Sequence, residues 1–182
     1  MNACVIGFAA WSGTGKTTLL EAVVARLRAR GLRLAVIKHA HHDFDIDHPG
    51  KDSHRLRQAG AQQVMVASRR RWALITEHDD DRPEPRLAEL LPQLDASGLD
   101  FVLVEGFKHE PIPKIELHRP ALGKPRLYPD DPQVIAIAAD GPLAAAPNLP
   151  VLDLNDADAV CDFLIDYRAR HGARANGSKD RT

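Results

Sequence analysis

A glycine-rich turn between an apolar run and an amphipathic one narrows the possible folds of this chain more than anything else in it. The turn is Ala10-Trp11-Ser12-Gly13-Thr14-Gly15-Lys16-Thr17. It follows the phosphate-loop pattern Gly-x-x-x-x-Gly-Lys-Ser/Thr, with Ala10 in place of the first glycine. Before it, residues 4–10 are apolar without alternation, the pattern of a strand covered on both faces. After it, Leu19, Leu20, Val23, Val24 and Leu27 recur at helical spacing, and Gly31 suits the helix stop. Residues 32–37 read as the next strand. Strand, helix and strand in this order form a βαβ unit, so the two strands are expected to be parallel with a right-handed crossover.

The residue types of the turn fit an anion. Gly13 and Gly15 let successive backbone N–H groups curl inward, and the first helical N–H groups have no partner inside the helix. Ser12, Thr14 and Thr18 complete the expected phosphate contacts, although Thr18 can equally serve as a local cap. Lys16 supplies a mobile charge for the β- and γ-phosphates, and the Thr17 hydroxyl suits Mg²⁺. A magnesium site also wants an acid at the C-terminal end of a nearby parallel strand. Glu105, directly after the apolar run Phe101-Val102-Leu103-Val104, is that candidate, either as a metal ligand through water or as the group that orients an attacking water.

Residues 38–50 hold four histidines and three aspartates in a long polar loop. Asp43, Asp45 or Asp47 can be expected near the metal, with Asp43 the first choice. Lys38 and Lys108 are candidates for phosphate or partner charge. The histidines admit a zinc site, an anion or partner contact, or ordinary loop structure. The base is less constrained. The common Asn-Lys-x-Asp guanine motif is absent, but Asp140 follows the strand 134–138, where a carboxylate accepts from guanine N1–H and its 2-amino group. Asp153 and Asn155 are further base-side candidates.

These elements predict an α/β P-loop fold in three layers, with a mostly parallel sheet and an antiparallel hairpin insertion. Residues 62–67 and 72–76 read as that hairpin, within the sheet or along its edge. Residues 115–117 read as a possible edge strand in a proline-rich stretch, and 151–152 as a last short strand. Asn155 is the expected cap of a final helix carrying Val160, Phe163, Leu164 and Tyr167 on one face. A nucleotide-binding domain over 1–170 and a disordered tail over 171–182 follow. The length suits one domain with a real core. A net charge of −1 gives no surface-wide case for nucleic acid. No apolar run spans a membrane, and Cys4 and Cys161 read as packed thiols in a reducing compartment, so the expected location is the cytoplasm.

Several matched stretches in one order resemble the MobB family of molybdopterin-guanine dinucleotide biosynthesis proteins. They are Phe8 to Thr18, Ile37-Lys38-His39 with His41-His42-Asp43, Pro49 to Ser53, and Val104-Glu105-Gly106-Phe107-Lys108. The resemblance covers residues 4 to 168. It implies a homodimer that binds GTP with Mg²⁺, hydrolyses it weakly, and assists the partner enzyme that attaches GMP to molybdopterin. It makes Gly13, Gly15, Lys16 and Thr17 the phosphate and Mg²⁺ group and Glu105 the Walker B-type acid, with Lys16 and Glu105 the catalytic pair. It is compatible with alanine at position 10. Binding of molybdopterin by this chain stays open. So do three other activities: a small-molecule kinase, a non-catalytic GTP or pterin adaptor, and a metallochaperone GTPase. The dimer edge is expected at 62–76 or 112–118.

Overall fold

The structure, a computed structural model, describes residues 3–40, 44–78, 82–143 and 148–172. The chain divides into two compact units, Met1–His39 with Arg86–Thr182, and Ala40–Pro85. His41, His42, Asp43 and the stretch from residue 173 onward lie outside the described residues.

The first unit is built on a six-stranded parallel sheet. In chain order its elements are β1 (Cys4–Ala10), α1 (Lys16–Ala29), β2 (Leu34–Lys38), and later α3 (Leu87–Leu90), β5 (Phe101–Glu105), β6 (Lys114–His118), β7 (Val134–Ala139), β8 (Val151–Asp153) and α4 (Ala157–Gly172). The strand order is β2-β5-β1-β6-β7-β8, every pair parallel. Thus β1 and β2 are parallel as expected, but β5 lies between them.

Alternation along the strands sorts the core into two clusters. Ile6, Phe8, Phe101, Leu103, Ile115 and Leu117 meet Leu19, Leu20, Val23 and Leu27 of α1 and Val160 and Leu164 of α4. Val102, Val104 and Ile37 meet Leu87, with Leu90 and Leu91 packed alongside. Helices therefore cover both faces, which explains why β1 and β5 have apolar residues at consecutive positions. Helix α1 ends in a Schellman turn. Gly31, at φ 81°, donates to the Arg28 carbonyl, and Leu32 donates to the Leu27 carbonyl. The thiol of Cys161 is buried and that of Cys4 half-buried.

The second unit holds α2 (Asp52–Gln58) and the antiparallel hairpin β3 (Gln63–Ala67) and β4 (Trp72–Thr76). The hairpin is a separate two-stranded sheet, and neither of its strands pairs with the large one. That corrects the expected placement.

Two more expectations are corrected. The stretch read as an edge strand is β6, an internal strand between β1 and β7 with all five residues buried. Its alternating Lys114, Glu116 and His118 look solvent-facing in sequence. Lys114 and Glu116 can be buried because loops of the same chain satisfy them. The cap of α4 is Asp156, not Asn155: its Oδ1 accepts from the Asp158 and Ala159 N–H groups at 3.0 Å each. The Asn155 N–H is turned instead to the Asp153 carboxylate at 2.8 Å.

Candidate functional site

Parallel strands bring their C-terminal ends to one edge of the sheet, and β1 delivers the glycine turn there. Gly13 and Gly15 take φ of 82° and 92°, a region only glycine enters without strain. A Cβ on Gly13 would meet nothing within 4 Å, so it is the backbone angle that requires glycine there. Thr14 is buried, and both its N–H and its hydroxyl donate to the Trp11 carbonyl, at 3.3 and 2.7 Å. The turn is thereby closed on itself, and it opens directly into α1. Ser12, Thr17 and Thr18 lie in the exposed part of this turn and first helical residues.

Because β5 is inserted between β1 and β2, its last residue faces both neighbours. Glu105 pairs in register with Phe8 on one side and Lys38 on the other. It is 6% exposed. Its Oε1 lies 3.2 Å from Lys16 Nζ and accepts from the Thr17 hydroxyl at 3.3 Å, while Oε2 lies 3.7 Å from Lys38 Nζ. Two lysines and a threonine thus share one carboxylate, and the carboxylate and hydroxyl together form a hard-oxygen donor set that fits Mg²⁺. Gly106 follows at φ 96°, and a Cβ there would sit 2.9 Å from that of His39, so the strand ends tightly against β2.

The other side of the turn is walled by loops that the buried charges of β6 hold. Lys114 Nζ donates to the Lys108 and Glu110 carbonyls and to Asp131, at 2.8, 2.9 and 2.7 Å. All three ammonium protons are satisfied. Burial pushes the Asp131 carboxyl up. Lys114 and the Gln133 N–H outweigh that and hold it below the ordinary carboxyl range. Glu116 accepts from the Leu127 and Tyr128 N–H groups at 2.7 and 2.8 Å. The same loop offers the Pro125 carbonyl to the Trp11 indole N–H at 2.7 Å, and Lys108 Nζ sits 3.8 Å from the Trp11 ring centre. Trp11 is therefore tied within its own chain.

Asp140 follows β7 as expected, but its carboxylate is engaged by Arg119, the residue directly after β6. Arg119 also donates from Nε to the Thr14 carbonyl of the turn at 2.7 Å. Sequence reasoning missed Arg119. The rule that found Glu105, a polar residue at the end of a parallel strand, would have found it too, had 114–118 been read as an internal strand. Asp153 keeps to the local turn before α4.

In the second unit, Asp45 and Asp47 are tied to Arg57. Both oxygens of Asp45 accept from Arg57 Nη2 at 2.7 Å, Asp47 lies 3.8 Å from Nε, and Glu77 pairs with Nη1. The Arg57 hydrogen bond leads the causes that lower the Asp45 carboxyl. The Ser53 hydroxyl donates to Asp47 at 3.0 Å. These carboxylates organise the loop that precedes the hairpin. Asp43, the first choice for the metal, lies outside the described residues.

A family profile described as molybdopterin guanine dinucleotide synthesis protein B, MobB, matches residues 5–140. An Escherichia coli (strain K12) protein named molybdopterin-guanine dinucleotide biosynthesis adapter protein is 51% identical over 164 residues, 90% of this chain and 92% of that one. Its namesake from Haemophilus influenzae is 45% identical over 172 residues, 93% of each chain. The X-ray crystal structure of a MobB protein homolog from Bacillus stearothermophilus matches with a TM-score of 0.68 at 27% identity, over 94% of this chain and 100% of that one. The expected fold class holds: a P-loop arrangement with a mostly parallel sheet, helices on both faces and a separate antiparallel hairpin.

Proposed function

This chain belongs to the MobB family, and on that premise we propose that it is a GTP-binding accessory protein of molybdopterin-guanine dinucleotide biosynthesis. The observation that carries this reading is the meeting of Lys16, Thr17 and Glu105 at the mouth of the glycine turn. Loop N–H groups and Lys16 bind the β- and γ-phosphates. A Mg²⁺ ion bound with the nucleotide would be held by Thr17 and Glu105 and would neutralise phosphate charge. An arriving triphosphate takes Lys16 from Glu105, which frees the carboxylate for the metal's water shell or for an attacking water. Hydrolysis is attack of that water on the γ-phosphorus with cleavage of the β–γ bridge, releasing GDP and phosphate. Turnover is expected to be slow, because among the described residues only Glu105 stands where it can orient that water. Asp140, the base-side candidate, spends its carboxylate on Arg119.

The partner in this reading is the enzyme that joins GMP to molybdopterin, in the cytoplasm. Among the described residues no helix is long and apolar enough to cross a membrane. The hairpin β3–β4 exposes Met65, Val66, Trp72 and Leu74, which supports a homodimer formed through this element. The 112–118 alternative loses its basis, because β6 is internal.

The test is calorimetric titration of the full chain with GTP and ATP, each with and without Mg²⁺. GTP is expected to bind more tightly, and Lys16→Ala to weaken it by at least about 100-fold with the fold intact. Equal affinity for ATP, or unchanged affinity in Lys16→Ala, refutes the reading. The relatives are named adapter proteins, which favours a second reading in which hydrolysis is incidental. Glu105→Gln separates the two: lost turnover with cofactor maturation preserved in cells selects the adaptor.

A further inference from the structure

Arg119 joins two parts of the site that no assignment connects. Its Nε donates to the Thr14 carbonyl at 2.7 Å, and its Nη1 pairs with Asp140. Its Nη2 lies 3.2 Å from where a Cβ on Gly15 would stand, so the guanidinium packs against the second loop glycine. The Thr14 carbonyl and the Gly15 N–H belong to one planar trans peptide and point in opposite directions. A donor that fixes the carbonyl outward therefore fixes the N–H inward, toward the space the turn encircles. Gly15 stands at the start of α1, where the N–H groups lack helical partners and bind anions. Gly15 has no Cβ, so the peptide before it has more orientations open to it than at another residue, and φ of 92° is one that favours glycine. Inside the loop Thr14 is held by its N–H and hydroxyl, and on the following peptide it is Arg119 that takes the carbonyl.

We propose that Arg119 is a positioning residue of the phosphate loop, turning the Gly15 N–H toward the anion, and that Asp140 holds the guanidinium in that place. The inference rests on the nucleotide reading above and adds a role for β6 and β7 in it. Its mark is indifference to the base. Arg119 acts on a peptide that meets phosphate, so its loss weakens any ligand carrying the triphosphate.

The experiment titrates the full chain with GTP and with inorganic tripolyphosphate, both with Mg²⁺, for wild type, Arg119→Ala, Arg119→Lys and Asp140→Asn. Arg119→Ala is expected to weaken both ligands alike, by about tenfold, and Arg119→Lys to recover part of the loss, since an ammonium can still reach the Thr14 carbonyl. Asp140→Asn is expected to weaken both by about threefold, the smaller effect of a loosened guanidinium. In ¹⁵N-labelled protein the Gly15 amide resonance is expected to shift in Arg119→Ala before any ligand is added, with the melting temperature unchanged. Wild-type affinity for tripolyphosphate in Arg119→Ala overturns the proposal. So does an Asp140→Asn variant that loses GTP but keeps tripolyphosphate, because that carboxylate would then read the base. If Arg119→Ala does not fold, Arg119→Lys and Asp140→Asn still decide it. A wild type that binds neither ligand refutes the nucleotide reading, and this inference with it.

Discussion

Within Met1–His39 and Arg86–Thr182, apolar side chains close into clusters, while the charges of the site gather at one sheet edge. Within Ala40–Pro85 the arrangement is reversed. Val64 is the buried apolar residue there among the described ones, whereas Phe44, Ile46, Leu56, Met65 and Trp72 are exposed at 58–70%. Beside Val64 the least exposed side chains of the hub are charged, Arg57 and Asp47. The Arg57 side chain is 8% exposed and engages Asp45, Asp47 and Glu77, tying the loop before α2 to the end of β4. A short insertion has too little interior to cover its own apolar surface. This one holds its shape with a guanidinium hub and keeps an apolar face outward. Among the described residues the first unit exposes fewer large apolar side chains, Val36, Leu122 and Val151, at 41–51%, and gathers Lys16, Lys38 and Glu105 where chemistry is proposed.

The largest effect expected to test this contrast is Phe101→Ala. That residue is 0% exposed, and the change is expected to cost about 3–5 kcal/mol in urea unfolding. Arg57→Ala is expected to loosen residues 44–78 while β1, β5 and β6 keep their protection, read by amide exchange; uniform loss of protection would erase the distinction. Acid probes the same hub. The folded carboxyl of Asp45 titrates below its unfolded range, so its contribution is present above about pH 4 and lost as pH falls through the lowered value. Exchange in the second unit is therefore expected to rise as pH falls through that range, and Arg57→Ala to remove the dependence. Asp156→Ala is expected to cost about 1 kcal/mol by removing the cap of α4, with Asn155→Ala near neutral. Smallest is Trp72→Ala, expected to stay within about 0.5 kcal/mol in dilute protein because that ring is 66% exposed. A loss above about 2 kcal/mol that grows with concentration would show the hairpin face covered by a second copy.

The sequence was most readable where local pattern and long-range burial agree. The turn and its flanking elements, the strand before Glu105, the hairpin and the apolar face of α4 all appear where their periodicity puts them. Strand β6 was misplaced because Lys114, Glu116 and His118 alternate like the wet side of an edge. The partners of Lys114 and Glu116 are Asp131 and the backbone of residues 108, 110, 127 and 128, and no local rule relates those positions. Arg119 was lost with the strand that carries it. Asn155 and Asp156 both suit a cap, and only the fold shows that the Asp156 carboxylate takes the first N–H groups of α4. The acids of the 38–50 loop looked available to a metal because Arg57, part of a weakly patterned helix, gave no sign of reaching back to them.

The insertion of β5 between β1 and β2 bears on how the protein is made. The first two strands leave the ribosome early but have no edge to share until Phe101–Glu105 arrives. Until then a nascent chain carries two unpaired apolar segments, and the later strand supplies both the pairing and Glu105. Ligand cannot rescue that interval, because the carboxylate between the lysines comes with the strand that ends it.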